Sequence, residues 1–138
     1  MQTQRIHIET GRRRAIVDVT DEVSSFVAGK GDGLVNVVLP HATAGLALME
    51  LGSGSEGDLM DRIDALLPRD HRYTHSHGSV GHGADHLLPA FIAPTLTLPV
   101  LGGKVALGIW QRIALVDTNV DNPRRELLLA FVSGPGDR

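Results

Sequence analysis

Two consecutive glycines, Gly102 and Gly103, stand between residues 95–101 and 104–116, two stretches rich in Val, Leu and Ile. A two-residue hairpin turn needs positive φ at its central positions, and glycine adopts it without steric cost. The pair therefore predicts an antiparallel hairpin, which ties the chain to a sheet built from local pairings. In the second stretch the odd positions Val105, Leu107, Ile109, Gln111, Ile113 and Leu115 share one face, and Gln111 interrupts an otherwise apolar side.

The remaining segments read as partners for that hairpin. Residues 3–9 and 15–19 alternate polar and apolar around Thr10-Gly11-Arg12, which predicts a second hairpin. Thr20 is placed to cap a short helix. Asp21 and Glu22 would face the positive end of its dipole, Val23, Phe26 and Val27 would lie on one face, and Gly29 and Gly31 would end it. Residues 33–39 read as a buried strand delivering Pro40 and His41 at its end, and residues 44–51 as another apolar stretch carrying Glu50. Ser53 and Glu56 have capping-box spacing before a helix over 58–67, with Leu59, Ile63, Leu66 and Leu67 on one face and Pro68 as its stop. Residues 84–93 predict a short helix interrupted by Pro89. After a polar turn at 117–123, residues 126–132 predict the final strand.

The chain has 138 residues, close to one domain of about 150, so a single domain over 1–138 is expected, with 1–4 and 134–138 frayed. Hydrophobic residues make up 42%, enough for a real core. Thirteen Lys and Arg against sixteen Asp and Glu give a net charge of −3, so no chain-wide basic field exists to hold nucleic acid or an anionic membrane. With no cysteine, disulfides, thiolate metal sites and thiol nucleophiles are excluded, which suits a reducing cytosol. The N-terminal residues lack a signal-peptide apolar region, the stretch after Arg12-Arg13-Arg14 is too polar for export, and no apolar run approaches the roughly 18 residues of a membrane span. A soluble cytoplasmic protein is expected.

Five of the seven histidines, His71, His75, His77, His82 and His86, fall in one polar tract that has almost nothing to bury. A long ordered loop in a small domain is usually functional or mobile, and histidine is both the commonest metal ligand and the side chain that titrates near neutrality. His75 and His77 share a face if extended, His82 and His86 if helical. The alternative is a solvated loop whose histidines do little, since no H-E-x-x-H signature is present. His41 sits where an apolar strand meets solvent. Glu50 and Gln111 are polar groups in apolar strands, where an unsatisfied group costs about 1–3 kcal/mol unless it faces solvent at an edge.

Gly52-Ser53-Gly54-Ser55-Glu56-Gly57 matches G-x-G-x-x-G literally, but a dinucleotide site needs a second apolar strand after the helix, and here Pro68 leads into the histidine tract. No phosphate-binding G-x-x-x-x-G-K-[ST] loop and no G-x-S-x-G elbow occurs. Arg124 and Arg125 are adjacent cations after Asn122-Pro123 that can clamp a phosphate or sit in a solvated turn.

Val17-Asp18-Val19-Thr20, His41-Ala42-Thr43-Ala44-Gly45-Leu46 with Glu50, Tyr73-Thr74-His75, Ala84-Asp85-His86, Leu107-Gly108-Ile109-Trp110-Gln111 and Pro123-Arg124-Arg125 follow one another in an order that resembles the YjbQ-like, or secondary thiamine-phosphate synthase, family. The resemblance runs over about residues 6–133. It departs at Ala42-Thr43, at Arg112, at Ala93 and at Asp85, and His77 and His82 are additional. It implies an α+β, barrel-like fold of mixed sheet with a few short helices, assembled as a homotrimer. It also implies a weak transferase activity that joins an aminopyrimidine methyl diphosphate to a thiazole phosphate and releases pyrophosphate.

Taken with the residues, the resemblance makes His41, His75 and His86 the candidate ligands of one divalent cation with an open position, zinc- or nickel-like rather than magnesium. Glu50, Gln111 and Asp85 are then the candidate catalytic groups, and Arg124, Arg125 and Trp110 the candidate groups for a phosphorylated small-molecule substrate. Hydrolysis of a small phosphorylated metabolite, and non-catalytic metal or metabolite binding by a trimer, are the competing functions.

Overall fold

The structure, a computed structural model, describes residues 1–136. In chain order the elements are β1 (Gln2–Glu9), β2 (Ala15–Asp18), α1 (Thr20–Val27), β3 (Gly33–Val38), β4 (Ala44–Met49), α2 (Ser55–Leu66), α3 (His82–Asp85), α4 (Leu88–Phe91), β5 (Thr95–Leu101), β6 (Lys104–Val105), β7 (Arg112–Asp117) and β8 (Arg124–Ser133). They form a five-stranded sheet in the order β1-β8-β3-β5-β6 and a three-stranded sheet in the order β2-β7-β4.

The α+β class holds and the sheet curls into a half-barrel. Its ladders are antiparallel throughout rather than mixed. Val35, Val37, Leu127, Leu129 and Phe131 of the large sheet pack with Leu46, Ile113 and Leu115 of the small one, and Val23, Phe26 and Val27 of α1 join the same core. The next residue outward on β7, Val116, packs instead with Ile63 of α2, Ala84 of α3 and Leu88 of α4. Successive strand residues point to opposite faces, so β7 lies between two cores and is apolar at every position from Ile113 to Val116.

The Gly102-Gly103 hairpin forms as expected, with φ of 56° and 75° and Leu101 opposite Lys104. Its second strand ends after two residues. A turn at 108–111 then carries the chain to the other sheet, closed by the Gln111 N–H donating to the Gly108 carbonyl at 3.0 Å. The expected hairpin of 3–9 with 15–19 does not form. β1 pairs with β8 and β2 with β7, because the N–H groups of Thr10 and Gly11 both donate to the Pro123 carbonyl and turn the chain from one sheet to the other.

Thr20 is not a cap but the first residue of α1. Asp18 Oδ1 accepts the Thr20 N–H at 2.9 Å, while Thr20 Oγ1 accepts the Ile113 N–H at 2.8 Å. The capping box at Ser53 is likewise replaced, since Gly54 occupies the cap position and the Glu56 carboxylate accepts the Gly52 N–H. On α2, Ile63 is buried but Leu66 is exposed, so the apolar face is narrower than expected. The helix expected over 84–93 is two helices, broken at His86-Leu87, and Pro89 stands in the first turn of the second, which begins at Leu88. Of residues 1–4, expected to fray, Gln2, Thr3 and Gln4 pair with Phe131, Ala130 and Leu129 of β8. Gly134 is tied by its N–H to the Asp32 carbonyl at 2.8 Å, and residues 137–138 of the expected tail lie outside the described residues. Among the described residues no helix is long and apolar enough to cross a membrane.

Candidate functional site

The apolar run of β7 continues into Asp117, Thr118 and Asn119, all essentially without solvent access. A buried polar group must find partners, and these three organise a network. Asp117 accepts from Arg125 Nε at 2.6 Å and Nη2 at 2.9 Å, and the same Nη2 donates to Thr43 Oγ1 at 2.9 Å. Thr118 Oγ1 donates to Asp85 Oδ1 at 2.6 Å and Asn119 Nδ2 to Asp85 Oδ2 at 3.2 Å. Arg69 reaches in from the far side to Asp85 at 2.5 Å. Asn119 Oδ1 accepts the N–H groups of Asp121 and Asn122, which turns the chain back towards β8.

On this support His82 opens α3 and His86 caps its end one turn later, and the loop before the helix brings His75 and His77 against them. Gly83 permits that approach, because a Cβ there would lie 2.5 Å from the His75 carbonyl oxygen and 2.6 Å from the Tyr73 Cβ. The ring centroids of His75 and His77, and of His75 and His86, are 4.1 Å apart, and those of His82 with His77 and with His86 are 4.6 Å apart. One ring nitrogen from each of the four lies within 4.8 Å of the others.

The Asp121 carboxylate can only accept and meets His82 Nδ1 at 3.0 Å, whereas the Asn119 amide nitrogen lies 3.2 Å from the same atom; the shorter contact, to a charged partner, places the ring proton on Nδ1 and the lone pair on Nε2. Asp121 is held by Ser79 as well, through the N–H at 3.3 Å and the hydroxyl at 3.0 Å. Burial pushes the Asp121 carboxyl up, but these hydrogen bonds outweigh it and keep it below the usual carboxylate range. Burial, followed by the like-charged neighbouring rings, holds His75 and His86 below the ordinary histidine value. The cluster therefore favours neutral imidazoles with available lone pairs.

This donor set fits a transition-metal cation. His82 Nε2 and His86 Nε2 are 2.9 Å apart. That is near the ligand–ligand edge of about 3.3 Å in a tetrahedral sphere with metal–nitrogen distances of about 2.0–2.1 Å. Nitrogen-only coordination suits zinc, nickel or copper rather than magnesium, and a carboxylate on the far nitrogen of a ligating histidine is the usual orienting partner.

Of the three expected ligands, His75 and His86 belong to the cluster and His41 does not. His41 Nε2 accepts the main-chain N–H of Glu126 at 2.8 Å, so that lone pair is already used. His77 and His82 take the remaining places. The other candidates scatter. Asp85 is fully buried with both oxygens engaged, which makes it an anchor rather than a catalytic group. Gln111 is exposed and its Oε1 accepts the Gly108 N–H at 2.7 Å, closing the turn. Glu50 is exposed just beyond β4, and Trp110 is exposed in the turn. Arg125 is committed to Asp117, whereas Arg124 is exposed and, among the described residues, held by an exposed Glu9 at 2.7 Å.

A cleft of about 320 Å³ connects what remains, lined by His41, Thr43, His82, His86, Asn122 and Arg124 among others. Neither Glu50, Gln111 nor Trp110 lines it. The sequence pattern marks 117–123 only as a polar turn and does not reveal the buried group Asp117, Thr118 and Asn119, nor Arg69, which pairs with Asp85. The one signal for it is position, three polar residues directly continuing a strand apolar on both faces.

Residues 4–134 match the family described as UPF0047 protein YjbQ-like. The UPF0047 protein Rv2556c of Mycobacterium tuberculosis is 59% identical over 97% of this chain and all of its own. A UPF0047 protein of Archaeoglobus fulgidus is 34% identical over 90% of this chain and 97% of its own. Among solved structures, the hypothetical protein APE1520 of Aeropyrum pernix superposes with a TM-score of 0.86 at 31% identity, covering 97% of this chain and all of that one. A YbjQ-like protein of unknown function from Sulfolobus solfataricus shares the fold, with a TM-score of 0.88 at 24% identity and 96% and 97% coverage. With the family matched over nearly its whole length, the chain belongs to the UPF0047 YjbQ-like family.

Proposed function

We propose that the chain binds one divalent cation on His75, His77, His82 and His86 and acts on a phosphorylated small molecule in the adjoining cleft, by the transferase chemistry that its family resemblance implies. The observation that carries this reading is the convergence of four imidazole nitrogens within 4.8 Å beside a cleft that contains an arginine. When bound by all four rings the cation would have no open position, so it would act on a departing diphosphate through its positive charge beside the cleft. His82 is oriented by Asp121, and Arg124 supplies a guanidinium for phosphate oxygens. Its ion pair with Glu9 is exposed on both sides and worth little, so the arginine is free to change partners. The reading includes the cytosol as the compartment and, from the family resemblance, three copies as the assembly; Ile109 and Trp110, 89% and 69% exposed on one turn, offer an apolar surface to a neighbouring copy.

The test is elemental content by plasma mass spectrometry on untagged protein purified without added metal or chelator. About one zinc, nickel or copper per chain is expected, lost in His82→Ala and His86→Ala and retained in His41→Asn. A chain that takes up no cation even on reconstitution rules the reading out. Product analysis then decides the reaction. A coupled product with pyrophosphate supports transfer, whereas inorganic phosphate or pyrophosphate without coupling makes the protein a hydrolase.

A further inference from the structure

We propose that His41 is the anion-recognising group of this cleft, a neutral imidazole whose Nδ1–H donates to a phosphate or diphosphate oxygen of the ligand. The assignment rests on the cleft being the ligand site, and adds to that reading a residue with no part in holding the cation.

The argument begins with the hydrogen bond that removes His41 from the cluster. A backbone amide can only donate, so the Glu126 N–H at 2.8 Å from Nε2 requires a lone pair there. A doubly protonated ring would set one N–H against another at that distance. The ring is therefore the neutral tautomer with its proton on Nδ1. Among the described hydrogen bonds none involves Nδ1, and His41 lines the cleft, so this N–H is the polar group that the ring keeps for a ligand.

The surroundings fix the same state. Burial, and then the Arg125 guanidinium, hold His41 below the ordinary histidine value. Asp117 and Glu126 act in the opposite direction, but Asp117 is spent on Arg125 and Glu126 is ion-paired with Arg5. A fixed neutral donor binds a phosphate oxygen without changing its own protonation, and it needs no reorganisation when the ligand arrives. Pro40 and the end of β3 position the ring, and the exposed guanidinium of Arg124 borders the same cleft. One neutral donor and one exposed cation on a cleft wall match the terminal phosphate of a small ester or diphosphate.

The probe is inorganic pyrophosphate, titrated into uniformly 15N-labelled, metal-free full-length protein and followed by long-range 1H–15N spectra of the imidazoles. His41 is expected to show a protonated Nδ1 and a bare Nε2 at neutral pH, and its Nδ1–H resonance to move on saturation with pyrophosphate. Two variants add an independent measurement. An Asn amide nitrogen sits near the place of Nδ1, whereas a Gln side chain reaches the place of Nε2. His41→Asn should keep pyrophosphate affinity within about threefold and His41→Gln should lose about tenfold or more.

A protonated Nε2, a His41 signal unmoved at saturation, an absence of pyrophosphate binding, or wild-type affinity in His41→Gln each overturns the proposal. So does loss of the cation in either variant, which would return His41 to the ligand set. Absence of the cation from the wild-type protein overturns the reading of the metal site instead, and the imidazole spectra, taken without metal, still decide the role of His41.

Discussion

His41, His75 and His86 all have their ordinary titration pushed down by burial, with neighbouring positive charge adding to it. The sign of the consequence for stability follows by linkage. The unfolded chain takes up protons on these rings near the ordinary value of 6.5, while the folded chain resists until the pH is lower. Between those points the unfolded state binds more protons, so stability is complete above about pH 6.5 and falls as the pH drops through the depressed values. Metal-free protein in EDTA should melt at a lower temperature at pH 5.0 than at pH 7.5. Equal melting temperatures at the two values would contradict the burial and mutual repulsion described for these rings. At this scale the sequence shows the cluster in part. The four-residue spacing of His82 and His86 is legible, and so is the shared face of His75 and His77. That His41 stands apart from the cluster is not legible in the sequence, because the amide that takes its Nε2 comes from a residue 85 positions away.

Local pattern reveals which segments extend and which face is apolar, and it is silent on which strand becomes a neighbour. The Gly102-Gly103 hairpin was readable because its turn chemistry is local. Residues 104–116 read as one strand because the period-2 pattern continues unbroken across Gly108, where the chain leaves one sheet for the other. The same limitation made β1 and β2 look like a hairpin. It also hid the continuation of β7 into Asp117, Thr118 and Asn119, since polar residues after a strand ordinarily mean solvent. That continuation joins α3 to β7 through Asp85, whose carboxylate is fully buried and shared by Arg69, Thr118 and Asn119. Removing its charge leaves the largely buried Arg69 guanidinium, 18% exposed, without a counter-ion. Asp85→Asn should lower unfolding free energy by about 3–5 kcal/mol, read from urea denaturation with an unchanged slope. A loss below about 1 kcal/mol would show that Arg69 and Asp85 do not act as a buried pair.

For the molecule as a whole, the surface carries more large apolar groups than solvent favours: Ile109 at 89% exposure, Trp110 at 69%, Phe91 at 60% and Leu66 at 56%. Ile109 and Trp110 are adjacent on a turn closed by both the main chain and the side chain of Gln111, so they are presented rigidly and lose little freedom on being covered. An aromatic anchor with this preorganisation is the pattern of an interface centre. Native mass spectrometry at micromolar concentration is expected to give about three times the 14.8 kDa chain mass. Trp110 is the only tryptophan in the chain, so its fluorescence reports directly on this turn. If subunits cover it, emission should be blue-shifted in the assembly and move red on dilution, in step with the loss of mass. Ile109→Asp should abolish both the higher mass and the blue shift while leaving circular dichroism unchanged, because neither side chain belongs to either core. A single-chain mass with solvent-exposed emission at every concentration would mean that the turn serves no subunit contact, and that the assembly expected from the family resemblance does not form in this protein.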